Sequence, residues 1–114
     1  MGKLSTHVLD TSRGTPAAGM KIDLWRLPSA APIRSVTTNA GGRTDAPLME
    51  GAELAAGTYQ LLFHVKDYFQ ARGERDAGRF LDEVPVVFVV EDPAASYHVP
   101  LLVSPWSYST YRGS

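Results

Sequence analysis

No cysteine occurs in the 114 residues, which rules out disulfides and thiolate metal sites and leaves the chain compatible with either redox compartment. Long apolar runs are missing too. The longest, Val84 to Val90, is far too short to cross a bilayer as a helix. Net charge is almost nil, at −1, so no surface is prepared for nucleic acid or for an anionic membrane. The chain does not start with a basic and apolar leader. It passes almost at once into strand-like sequence, so a cytoplasmic protein is expected, and a periplasmic one freed of its signal peptide would read the same. There are no repeats, low-complexity segments or linkers, and the expectation is one domain, residues 1–114, with a single two-layer core. Several catalytic motifs are absent as well. There is no HExxH or His-x-His pair for a metal, no GxSxG elbow and no phosphate-binding glycine loop.

What the sequence does contain is alternation, in short stretches separated by turn signals at the spacing of a β-sandwich. Leu4 to Leu9 places Leu4, Thr6 and Val8 on one face and Ser5, His7 and Leu9 on the other. Arg13-Gly14-Thr15-Pro16 reads as a turn. Met20 to Leu27 follows, with Met20, Ile22 and Leu24 inward and Lys21 and Asp23 outward. After a loop from Pro28 to Pro32, Ile33 to Thr38 is a third strand, and Asn39-Ala40-Gly41-Gly42 is a turn suited to positive φ that leads directly into Arg43. Thr58 to Val65 is a strong strand with His64 near its end. Asp67 to Ala71 reads as a short helix with Asp67 as N-cap and Gly73 as stop. Val84 to Val90 and Tyr97 to Val103 are the last long strands. Val86 to Val90 is apolar on both faces, so it is either central and covered or turned toward another subunit.

The last stretch is not an ordinary polar tail. From Ser104 it alternates small and aromatic residues, with Ser107, Ser109, Tyr111 and Gly113 on one face and Tyr108, Thr110 and Arg112 on the other. A strand running to Ser114 would hold a hydroxyl, a guanidinium and the terminal carboxylate at one location. Among the three histidines, His7 and His98 fall on outward faces. His98 shares its face with Pro100 and Leu102, so His7, Leu9, His98, Ser109 and Tyr111 can line one outer face of one sheet. His64 reads as structural, and Arg72, Arg75 and Arg79 as solvated loop residues. From spacing alone, a sandwich with a few outward polar groups is all that follows.

The stretches Thr6-His7-Val8-Leu9-Asp10, Arg13-Gly14-Thr15-Pro16-Ala17, Thr38-Asn39 to Thr44 and Leu101 to Tyr108 together resemble the transthyretin family over essentially the whole chain. The terminal Tyr111-Arg112-Gly113-Ser114 is similar to the signature of its enzymatic branch, the 5-hydroxyisourate hydrolases, rather than of the hormone carriers. The resemblance implies an all-β, transthyretin-like (prealbumin-like) sandwich of eight strands with one short helix. It also implies a homotetramer, a dimer of dimers with active sites in a channel between the dimers. The activity implied is hydrolysis of 5-hydroxyisourate in urate catabolism by water attack on a ring carbonyl, with no cofactor and no metal. Matched to the family motifs, His7, Arg43, His98 and Ser114 are the catalytic residues implied. His7, Arg43, Tyr111, Arg112 and Gly113 are those implied to bind substrate. Which histidine serves as base stays open. Two positions depart from the pattern: Gly41 stands where aspartate is usual, softening the assignment of Arg43, and Trp106 replaces Tyr or Phe, affecting packing. A ligand carrier using the same channel is the alternative, and an immunoglobulin-like adhesion module leaves the terminal motif unexplained.

Overall fold

Alternation of buried and half-exposed side chains makes the first strand, β1 (Lys3–Asp10): Leu4, Thr6, Val8 and Asp10 point into the protein, Ser5, His7 and Leu9 out of it. The structure, a computed structural model, describes residues 2–113. After β1 come β2 (Thr15–Pro16), β3 (Lys21–Arg26), β4 (Arg34–Thr37), β5 (Met49–Glu50), β6 (Gly57–Phe63), α1 (Val65–Ala71), β7 (Val84–Val90), β8 (Tyr97–Val103) and β9 (Tyr108–Thr110). One sheet runs β2-β1-β8-β9, with β5 also paired to β1; the other runs β4-β3-β6-β7. The pairing of β1 with β8 is parallel, the rest antiparallel. The two sheets close over a core in which Leu4, Val8, Ile22, Leu24, Leu61, Phe63 and Leu101 are fully buried.

The architecture is the transthyretin-like sandwich with one α-helix. The described residues form nine strands where the resemblance implies eight, and two of the nine, β2 and β5, are two-residue pairings on β1, too short to show a period. A turn was expected where β2 lies. The helix starts at Val65, not Asp67, and the strand before it stops at Phe63. Val65 is fully buried, and packing of its apolar face rather than a side-chain cap fixes where the helix begins. Asp67 instead sits in the first turn, where its charge suits the helix N-terminus. Gly73 ends the helix as expected, with φ of 73° and its N–H bonded to the Gln70 carbonyl.

His64 is therefore the joint between β6 and α1 rather than a strand residue. Its Nε2 lies 2.8 Å from Asp23 Oδ2 and its Nδ1 3.3 Å from Glu83 Oε2. Asp23 does face away from the core, as expected, yet it is buried, because His64 and Ser35 cover it; the Ser35 hydroxyl donates to Oδ1 at 2.5 Å. Burial pushes the Asp23 carboxyl up. Hydrogen bonds from Ser35 and His64 and the charges of His64 and Lys21 together outweigh it and hold the pKa below the ordinary value.

The strand β7 lies at the edge of its sheet and pairs with β6 alone, so it is not the covered central strand. Its inner side chains Val84, Val86 and Val90 are buried, whereas Val87 and Val89 are 56% and 57% exposed. The tail also departs from the expected continuous strand. Its ladder with β8 ends at Leu101↔Thr110. Pro100, next along β8, has no N–H to donate, and its carbonyl already accepts the Thr110 hydroxyl at 2.6 Å. The chain leaves the sheet at Tyr111 and Arg112 and returns at Gly113, whose N–H donates to the His98 carbonyl at 2.8 Å.

The Asp23–His64 contact is a stability device. Replacing His64 with Ala should cost about 1–3 kcal/mol, the usual effect of stranding a buried polar partner, measured by urea unfolding. Because Asp23 is depressed in the folded state, its contribution is present above its ordinary value of about 3.9 and is lost as pH falls below it. Unchanged stability in His64→Ala would contradict this role.

Candidate active site

Parallel register brings distant residues together. Along β1 and β8, Ser5 pairs with His98, His7 with Pro100, and Leu9 with Leu102, all on the outer face of the sheet. On β9, Ser109 is opposite Leu102 and shares that face. The face expected from the sequence is thus present, except that Tyr111 lies past the break in the strand and does not continue it.

His98 is held from two sides. Ser5 Oγ lies 2.9 Å from its Nδ1. Gly113 presses on the other edge: a Cβ there would come within 2.4 Å of Cδ2, closer than any side chain tolerates. The tail thus needs a glycine at this point because the imidazole occupies the space. Burial, then the positive charges of Arg43 and His7, lower the His98 pKa below the ordinary imidazole value. The shift favours the uncharged ring, which is able to take a proton.

Arg43 is delivered by a turn built on Asn39. The Asn39 side-chain carbonyl accepts the N–H groups of Gly41 (2.9 Å) and Arg43 (3.2 Å), and its amide donates to Asp45 at 3.0 Å. Gly42 has φ of 73° and its carbonyl accepts the Val8 N–H at 2.8 Å, docking the turn on β1; a Cβ there would lie 2.4 Å from the Val8 carbonyl. Gly41 is different. A Cβ at that position meets only Asn39 Oδ1, at 3.4 Å, so a side chain fits. The unusual glycine leaves the turn intact because Asn39, not residue 41, shapes it.

A shallow depression of about 360 Å³ opens here, lined by Lys3, Ser5, Arg43, Thr44, Asp45 and His98 among others. A larger groove of about 590 Å³ lies elsewhere, along the edge of the sandwich, between Val87 and Val89 on one side and Tyr97, Tyr111 and Arg112 on the other. Within one chain, then, Tyr111 and Arg112 are not gathered with the histidines. The Arg112 guanidinium sits 4.2 Å over the Tyr97 ring and donates to the Ser96 carbonyl at 3.1 Å. Ser114 lies outside the described residues. Trp106 is remote and stacks on Phe80 with centroids 6.3 Å apart, consistent with a packing role. Of the loop arginines, Arg72 is not merely solvated: it donates to the Ala18 carbonyl at 2.7 Å and covers the Tyr68 ring.

Neither Ser5 nor Asn39 stands out as a site residue from the sequence alone. The signals were there: Ser5 shares a face with His7 two residues on, and Asn opens a turn that ends in Arg. The grouping of imidazoles, guanidinium and hydroxyl offers proton transfer beside a planar cationic donor.

Residues 4–113 match the model of the HIUase/Transthyretin family. The chain belongs to this family. Among its relatives, 5-hydroxyisourate hydrolase 2 of Rhizobium meliloti is 56% identical, covering 99% of this chain and 97% of that protein. The 5-hydroxyisourate hydrolase of Ralstonia nicotianae is 54% identical over the full length of both. Among solved structures, the 5-hydroxyisourate hydrolase of Klebsiella pneumoniae has a TM-score of 0.82 at 37% identity, covering 98% and 99% of the two chains. An (S)-allantoin synthase reaches 0.93 at 43% identity; the match covers 99% of this chain and 44% of that one. Sea bream transthyretin in complex with thyroxine matches at 0.84 and 28%, covering 97% and 94%. Thus the HIUase/transthyretin fold is shared by proteins named as enzymes and by a transthyretin solved with thyroxine.

The neutral state of His98 is testable directly. An NMR titration should place its pKa below the ordinary 6.5 or so, and Arg43→Gln should raise it by removing the neighbouring cation. A pKa at or above the ordinary value, unmoved by Arg43→Gln, would contradict the electrostatics described.

Proposed function

We propose that this chain is a 5-hydroxyisourate hydrolase, opening the ring by attack of water on a ring carbonyl to give 2-oxo-4-hydroxy-4-carboxy-5-ureidoimidazoline. The observation that carries the reading is the meeting of His98 with His7 and Arg43 on one outer face, in a chain more than half identical to proteins named as 5-hydroxyisourate hydrolases. The reaction needs a base for water, a donor for the developing oxyanion and a proton for the departing nitrogen. The imidazoles of His7 and His98 supply the first and last: one takes a proton from water as the new C–O bond forms, and a proton passes to the ring nitrogen as the C–N bond breaks. No redox change occurs. Arg43 holds the acceptor-rich substrate and stabilises its oxyanion through its planar fork of donors. Ser114 orients water or an imidazole, and Tyr111 and Arg112 contribute to binding across a subunit boundary. Neither metal nor organic cofactor takes part in this scheme. A hormone carrier would want an apolar lining, and this face presents imidazoles and a guanidinium instead.

The proposal extends to assembly. Residues 1–114 act as one domain within a homotetramer, a dimer of dimers whose channel is walled by the β1–β8 face. Supporting this are the exposed Val87 and Val89 on an edge strand and the exposed Trp106, Tyr108 and Tyr111, apolar surface that a monomer would leave wet. No helix among the described residues is long and apolar enough to cross a membrane.

His7→Asn and His98→Asn should each lower turnover about a hundredfold or more while the protein stays folded, whereas His64→Ala should keep turnover near normal. Light scattering on the same samples should give the mass of four chains. Near-normal turnover in both histidine variants would remove them from the mechanism, and a fully active monomer would sink the shared channel.

A further inference from the structure

Two contacts fix the ring of His98, and one of them comes from a residue with no other evident task. Ser5 lies on β1 directly beside His98 on β8. Its hydroxyl is half-buried, 2.9 Å from Nδ1, and among the described residues makes no second side-chain hydrogen bond. The Cδ2 edge is closed by Gly113. Nδ1 and Cδ2 are the two ring atoms next to Cγ, so the near half of the imidazole is taken on both sides. Cε1 and Nε2 make up the remaining edge of the ring, and His98 lines the depression together with Arg43.

A serine hydroxyl can accept from Nδ1–H or donate to a bare Nδ1, and the choice decides what Nε2 can do. The surroundings favour one answer. Arg43 brings a positive charge to the site, and Lys3 and Asp45 stand at its rim, the Asp45 carboxylate engaged by the Asn39 amide. Toward the Arg43 guanidinium an Nε2–H dipole is disfavoured and an Nε2 lone pair is favoured. We propose that Ser5 is a positioning residue of the hydrolytic site: its oxygen accepts Nδ1–H and thereby presents the unprotonated Nε2 of His98 to the attacking water. When Nε2 takes the water proton, the same Nδ1–H···Oγ bond persists and strengthens with the charge, so no group has to turn during the step. The proposal rests on the assignment of His98 to water activation and adds to it both the nitrogen that acts and the residue that selects it.

Serine at this place is small enough for the strand face and lacks the charge that a carboxylate partner would bring. A carboxylate on Nδ1 would raise the imidazole pKa. The neutral hydroxyl orients the ring and leaves the lowering by burial, Arg43 and His7 in force.

The test is a pair of variants with a readout that does not depend on turnover. In Ser5→Ala the acceptor is lost and no bulk is added; in Ser5→Thr the hydroxyl is kept on a residue that strands accept readily. Ring 15N shifts of His98 in the free protein, above its pKa, should report the Nδ1–H tautomer in the parent and in Ser5→Thr, and a mixture in Ser5→Ala. Turnover in Ser5→Ala should fall about tenfold, equivalent to about 1.4 kcal/mol, with KM little changed, and Ser5→Thr should recover most of it. An Nε2–H tautomer in the parent overturns the proposal. So does a Ser5→Ala protein with unaltered tautomer and turnover, or a loss that Ser5→Thr does not repair. Measured beside His98→Asn, the outcomes separate: an inactive His98→Asn with an indifferent Ser5→Ala defeats only the role of Ser5, whereas an active His98→Asn defeats the assignment beneath it.

Discussion

The parallel pairing of β1 with β8 is the constraint on which the rest of this protein depends. It joins residues 93 positions apart in the chain, as the Ser5–His98 contact shows. On its inner side it contributes Leu4, Val8 and Leu101 to the core; on its outer side it aligns Ser5, His7, His98 and Leu102. Because the side-chain period of a strand is two, a slip of one residue would move the histidines into the core and core residues to the surface. The apolar face therefore specifies the register, and the register specifies the site. Stability and chemistry are set by the same alignment.

Around that pair the chain adds two devices that aim functional groups without loading the core. The turn of residues 39–43 uses one asparagine side chain to gather backbone N–H groups, and a glycine to let the turn sit against β1, which sets Arg43 at the depression that His98 also lines. The tail is stopped by the missing N–H of Pro100 and returns to lay Gly113 on the imidazole. On the far sheet His64 has a different employment, tying the start of α1 to β3 through Asp23. Two partly buried histidines thus serve opposite ends, distinguished by their surroundings: carboxylates for His64, a serine hydroxyl and the Arg43 guanidinium for His98.

Much of this was legible in the sequence, and the reasons differ from element to element. The alternation in Leu4 to Leu9 and in Tyr97 to Val103 marks both faces correctly; the grouping of His7 with His98 needs the family resemblance as well, since parity does not say that β1 and β8 are neighbours. The end of β6 was misplaced because Phe63 and Val65 are both buried, which satisfies a strand and the first turn of a helix alike. Asp23 was rightly turned outward, but its burial depends on His64 and Ser35, residues far off in sequence. The break after Thr110 was hidden for a similar reason: its cause, Pro100, lies on the neighbouring strand. Ser5 was read as a plain outward polar residue, since nothing local to β1 reveals which side chain of β8 it meets. In each miss the deciding contact is long-range, while the local pattern was sound.

The fold accommodates both a hormone binder and enzymes, so the claim for this chain rests on the polar groups of one sheet face and is best met by a measurement of chemistry. Freshly generated 5-hydroxyisourate decays spontaneously and can be followed by its ultraviolet absorbance. Added at catalytic concentration, the purified wild-type protein should accelerate that decay through many turnovers. Decay at the spontaneous rate in the presence of folded protein would contradict the account.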